Sequence, residues 1–116
     1  MEGLTAYGSE PRIKAGIWAA AYVRRCSASG AFAAISRRGD ASAGTIFIEI
    51  LHRSGTDLYG PAPAQPARRF ERIMESAPPA AVVDRLEREI SFDSDLWVIT
   101  VEDPQGRTFL EPSERG

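Results

Sequence analysis

Between Ile13 and Ser27 the residues Ile13, Ile17, Ala20, Ala21 and Arg24 recur at helical spacing, with Trp18 and Tyr22 as a neighbouring i,i+4 pair. This predicts a first helix, stopped by Gly30, with Arg24 and Arg25 suited to the negative end of its dipole. Ala31–Arg37, carrying Phe32 and Ile35 before a Gly39-Asp40 turn, predicts a strand. The clearest strand is Thr45–His52, with Ile46, Ile48 and Ile50 on one face and Phe47, Glu49 and Leu51 on the other. Ser54-Gly55 is a hairpin signal, and Asp57–Tyr59 follows as a short strand, so three strands are expected as a meander.

The run GPAPAQP from Gly60 to Pro66 reads as an extended loop, because three prolines do not fit inside a sheet. In Arg69–Met74, Phe70, Ile73 and Met74 suit a helix while Phe70, Arg72 and Met74 alternate, and the segment is taken as a strand. Ser76 ahead of Pro78 and Pro79 predicts a capped second helix with the stripe Val82, Val83, Leu86 and Ile90. Leu96–Glu102 alternates with Trp97, Ile99 and Val101 on one face, and Asp103–Gly106 suits a turn from which Arg107–Leu110 returns as a hairpin. The order predicts an α+β fold: a small single-layer, mostly antiparallel sheet of four to six strands with two helices packed on one face. Helix 2 is expected against Ile46, Ile48, Trp97 or Ile99.

The length of 116 residues provides for one domain, placed at 12–110, with a loosely held lead-in at 1–11 and tail at 111–116. The contents, 43% hydrophobic and 26% charged, are those of a globular chain. Net charge is −2, but residues 1–70 carry nine basic and five acidic groups (+4) against five and eleven (−6) in 71–116. Opposite poles of this kind suit attraction between the halves or between copies. All basic residues but Lys14 are arginine. Cys26 is the only cysteine, which excludes an internal disulfide and a multi-cysteine zinc site and fits a reducing compartment. The start MEGLTAYGSE lacks the pattern of a signal peptide, and no stretch approaches the roughly 18 apolar residues of a membrane span, so a cytoplasmic protein is expected.

Four stretches, Gly16-Ile17-Trp18 with Tyr22-Val23-Arg24-Arg25, Asp57-Leu58-Tyr59-Gly60-Pro61, Arg69-Phe70-Glu71, and Phe92-Asp93-Ser94-Asp95-Leu96-Trp97-Val98, resemble a bacterial family known as domain of unknown function 1491. The resemblance runs from about Arg12 to Leu110 and implies a stand-alone domain. It brings no activity and no site residues.

A Cys-His nucleophilic site has only Cys26 and His52 to draw on, on different predicted elements, so Cys26 reads as a core residue and His52 as a strand terminus. Asp93 and Asp95 lack further ligands for a cation and read as a turn. The glycines form no phosphate loop, so no metal, cofactor or catalytic residue is assigned. Pro63, Pro66 and Arg68 fit PxxPxR, a pattern that a rigid turn also explains. The pairs Arg24-Arg25, Arg37-Arg38 and Arg68-Arg69 form a candidate anion or partner surface, and Trp18, Tyr22 and Tyr59 candidate packing or interface aromatics. The leading expectation is a non-catalytic protein-interaction module, homodimeric through a sheet edge or the helix 1 aromatics. The alternative is anion or RNA binding through the arginines.

Overall fold

The computed structural model describes residues 13–63 and 68–115, so the expected lead-in and Pro66 lie outside the described residues. The elements are α1 (Ala15–Ala28), β1 (Phe32–Arg37), β2 (Ile46–His52), β3 (Gly55–Pro61), β4 (Phe70–Ala77), α2 (Pro79–Phe92), β5 (Trp97–Glu102) and a 3-10 turn at Pro112–Glu114. None of the helices described is long and apolar enough to cross a membrane.

Helix α1 has no side-chain cap; instead Ala15 and Gly16 N–H donate to the carbonyls of Ser42 and Ala41. It stops at Gly30 (φ 94), where Gly30 N–H reaches Ser27 O and Ala31 N–H reaches Cys26 O, the paired bonds of a Schellman end. The cap expected at Ser76 is not formed. Ser76 belongs to β4 with φ 48 and gives its N–H to Asp57, while Pro78 and Pro79 open α2 by fixing an extended-to-helical transition.

The sheet has five strands in the order β1-β5-β2-β3-β4, antiparallel except for β2–β5. Three expectations change here. The meander is β2-β3-β4, because β5 inserts between β1 and β2. Arg107–Leu110 is not a strand: β1 and β2 already occupy both sides of β5, so no edge remains for a hairpin return. Strand β3 also runs on into Gly60 and Pro61, the proline standing at the strand end opposite Phe70.

The helices lie on opposite faces of the sheet, which corrects the expectation of one covered face. Ala15, Trp18, Ala19, Tyr22 and Cys26 of α1 pack on Ile46, Ile48, Ile50, Trp97, Ile99 and Val101. Val82 and Leu86 of α2 pack instead with Phe47, Leu58, Leu96 and Val98. The cause is period-two alternation: β2 and β5 are apolar on both faces, and a single helical layer would leave Phe47 and Val98 in water. Beyond α2 that second face becomes polar, with Ser36 hydrogen-bonded to Thr100 at 2.6 Å and Thr100 donating to Glu49 at 2.7 Å.

Residues 104–115 cross the α1 face rather than trailing from it. Leu110 joins the core, Glu111 and Glu114 form a capping box, and Glu114 is tied to α1. A segment expected as a loose tail is held because α1 presents Trp18 and Arg25 side chains whose polar atoms need partners there.

Candidate functional site

The six arginines singled out in the sequence do not form one surface. Arg25, at the C-terminal end of α1, donates to Phe109 O at 2.7 Å and pairs with Glu114 at 2.9 Å. Arg24 is exposed on the neighbouring turn. Arg37 donates to Ser94 O and Arg38 lies over the Trp97 ring, at the end where α1 begins. The first two pairs thus sit at opposite ends of α1. Arg68 donates to Ile13 O and lies over Trp18, and Arg69 donates to Arg115 O.

Trp18 and Tyr22 are core residues. Their rings stack at 5.0 Å and 11°, and Phe70 tilts against Trp18 at 5.0 Å. The Tyr22 hydroxyl donates to Thr108 O at 2.6 Å, and burial pushes its pKa far above the ordinary tyrosine value. The Trp18 indole donates to Glu114 at 3.0 Å. Burial opposes ionisation of Glu114, but the hydrogen bonds from Arg25, Glu111 N–H and Trp18 outweigh it and hold the carboxyl below the usual glutamate range.

An open groove of about 720 Å³ lies between this C-terminal segment and the β3–β4 pair. Tyr59, Phe70 and Leu110 line it, with Arg72 on β4 and Arg107, Phe109 and Arg115 on the opposite side. Register brings Arg72 beside Tyr59, whose hydroxyl pKa is raised by burial against the lowering effect of that guanidinium. Arg107 is clamped by the buried Asp103, whose two oxygens take its Nε and Nη2 at 3.1 and 2.8 Å and whose own pKa those bonds lower. It also lies 4.9 Å above the Phe109 ring. Phe109 adopts φ 57, a conformation costly for a bulky side chain, which turns its ring to the groove. Arg115 donates to Leu110 O and, among the described residues, makes no ion pair. Three guanidiniums thus line the groove around three aromatic rings, Arg107 paired with Asp103 and Arg72 with Glu75 at 3.3 Å, and Glu71 lies among them. Of the aromatics named in the sequence, Tyr59 belongs to this groove.

The residues with catalytic potential are otherwise engaged. Cys26 is buried beside Tyr22, its thiol pKa raised by burial, and no hydrogen bond joins it to His52. His52 Nδ1 accepts the Ser54 N–H at 3.2 Å, so Nε2 carries the proton and donates to Asp57 at 2.9 Å. With both ring nitrogens hydrogen-bonded, His52 presents no free nitrogen to act as a general base. Asp93 accepts the Asp95 N–H, as a turn requires. Among the described residues no cluster of three or more His, Cys, Asp or Glu could hold a metal.

The arginine groove was not read from the sequence, because its members are single residues on separate segments. The available signal was the alternation Phe70-Arg72 next to a strand ending in Tyr59.

Residues 13–111 match a family described as protein of unknown function (DUF1491). A crystal structure of a DUF1491 family protein from Caulobacter crescentus CB15 is similar at 31% identity and TM-score 0.78, covering 90% of this chain and 97% of that one. A solution structure of a protein from A. tumefaciens is similar at 37% identity and TM-score 0.79, covering 85% and 92%. An NMR structure of a DUF1491 family protein from Caulobacter crescentus CB15 gives 33% identity and TM-score 0.75 over 84% and 92%. Among curated proteins nothing matches.

Proposed function

The chain belongs to the DUF1491 family, whose function is unknown, and from that premise we propose a non-catalytic binding module whose groove takes an acidic peptide segment of a partner protein. One observation carries the reading: Arg72, Arg107 and Arg115 converge on an open groove paved by Tyr59, Phe70 and Phe109. Guanidiniums suit carboxylates by planar, forked hydrogen bonding, and aromatic faces suit the apolar part of a peptide. Asp103 and Phe109 hold Arg107 in place before any ligand arrives, which lowers the ordering cost of binding. A short peptide is favoured over RNA because the basic surface is confined to three arginines bounded by Glu71 and Glu75, whereas RNA needs a continuous basic track. The lone buried Cys26 and the bacterial sources of the similar structures support a bacterial, cytoplasmic setting.

The test is an amide-resolved NMR titration with a short glutamate-rich peptide bearing one phenylalanine, run beside an oligouridylate. The expected shifts fall on residues 70–72 and 107–110, and Arg115→Ala weakens binding about tenfold, equivalent to ~1.4 kcal/mol. Silence of those amides at millimolar peptide, or a response to the oligouridylate alone, overturns the reading.

A further inference from the structure

The two edges of the sheet are built differently. Strand β4 carries Glu71, Arg72 and Glu75, its register against β3 shifts twice, and Arg115 bridges to Phe70 at its start. Charges, bulges and a covering segment are the devices that keep an edge strand from pairing. Strand β1 has none of them over Phe32–Ile35: the residues are Phe, Ala, Ala and Ile, and the register with β5 is unbroken until the shift between Ile35 and Arg37. Among the described residues no strand pairs with its outer side, and Phe32 is 61% exposed.

We infer that β1 pairs antiparallel with β1 of a second copy of this chain, about a twofold axis near Ala34, joining the two sheets into one. The regular stretch pairs with itself in this register, Ala33 of one copy lying opposite Ile35 of the other. The charges agree as well. Arg37 stands opposite Val98 and Glu102 opposite Phe32, so both project from the α2 face, at opposite ends of β1. Neither makes an ion pair within the chain among the described residues. Antiparallel pairing brings Arg37 of each copy to the Glu102 end of the other, so the contact supplies the counter-charge the single chain lacks. The groove proposed above runs along β4 at the far edge, so the pairing neither needs it nor closes it.

Sedimentation equilibrium on the full chain at about 100 µM tests the inference, since protomer concentration sets the dimer fraction. The expected mass is twice 12.6 kDa. Phe32→Lys, at an exposed position, keeps the circular dichroism spectrum and raises the dissociation constant at least about tenfold. Facing residues at a twofold axis have Cβ atoms about 5 Å apart, so Ala34→Cys gives a disulfide-linked dimer on mild oxidation and the exposed Ser91→Cys does not. A single 12.6 kDa species for the wild type, or equal cross-linking by the two cysteine variants, overturns it.

Discussion

The Tyr22 hydroxyl and the Thr108 carbonyl oxygen stand 2.6 Å apart, a bond between the first helix and a segment 86 residues later in the chain. It is one of four such ties, with Trp18 and Arg25 to Glu114 and Arg25 to Phe109 O, that fasten residues 108–114 across α1. Together they fix one wall of the arginine groove.

Tyr22→Phe keeps the stacked ring and deletes only the donor, leaving the Thr108 carbonyl without it. The expected loss is about 1 to 2 kcal/mol, read from the urea midpoint at unchanged slope. An unaltered midpoint means that water replaces the hydroxyl.

The α2 stripe gives a graded pair. Leu86 is 8% exposed and packs in the cluster with Phe47, Leu58 and Val98, whereas Val83 is 51% exposed. Leu86→Ala should cost about 2 to 5 kcal/mol and Val83→Ala under about 0.5 kcal/mol, by thermal or urea unfolding. Equal effects contradict the packing of α2 on this face.

The folded pKa of Glu114 is lower than its unfolded value, so its contribution is complete above about pH 4.3 and is lost as pH falls through the lower folded value. Asp103 shifts in the same direction. The Trp18 indole N–H resonance should therefore hold its position from neutral pH down to about pH 4.3 and move below it. Glu114→Gln flattens the acid branch of the thermal midpoint without abolishing it, because Asp103 still titrates. Parallel acid branches for the two proteins refute the assignment.

Burial raises the Cys26 pKa, which leaves little thiolate at neutral pH. A thiol reagent should react with the native chain only as fast as it opens, and with one thiol per chain at once in denaturant. Rapid native reaction shows that the C-terminal end of α1 is accessible.

Period and punctuation made the elements legible. Ile46, Ile48 and Ile50 identified β2, Gly30 marked the end of α1, and Val82 and Leu86 the buried side of α2. What they could not carry was order and side. Nothing local in Trp97–Glu102 says that this strand enters between β1 and β2, and the apolar Phe47 and Val98 on the second faces of β2 and β5 were the signs that both faces would be covered. Pairs of adjacent arginines are conspicuous in the sequence, yet Arg24-Arg25 lie in α1, Arg37-Arg38 at the end of β1 and Arg68-Arg69 ahead of β4, at separate places on the fold. The arginines that meet, Arg72, Arg107 and Arg115, are brought together by the 104–115 segment crossing beside β4 and not by spacing.

The position of β5 sets the order in which the domain can close. The β2-β3-β4 meander joins neighbours in sequence and can form by itself, but β1 meets the rest of the sheet only through β5, which follows it beyond three strands and a helix. β5 is thus a late strand set between two early ones, and its pairings with β1 and β2 span long stretches of sequence, a high-contact-order arrangement that slows folding. A chain cut before Trp97 lacks the strand that joins β1 to β2 in the sheet. A separate peptide spanning 97–115 supplied in trans should restore that strand, carrying with it the residues that seat Trp18, Tyr22 and Arg25.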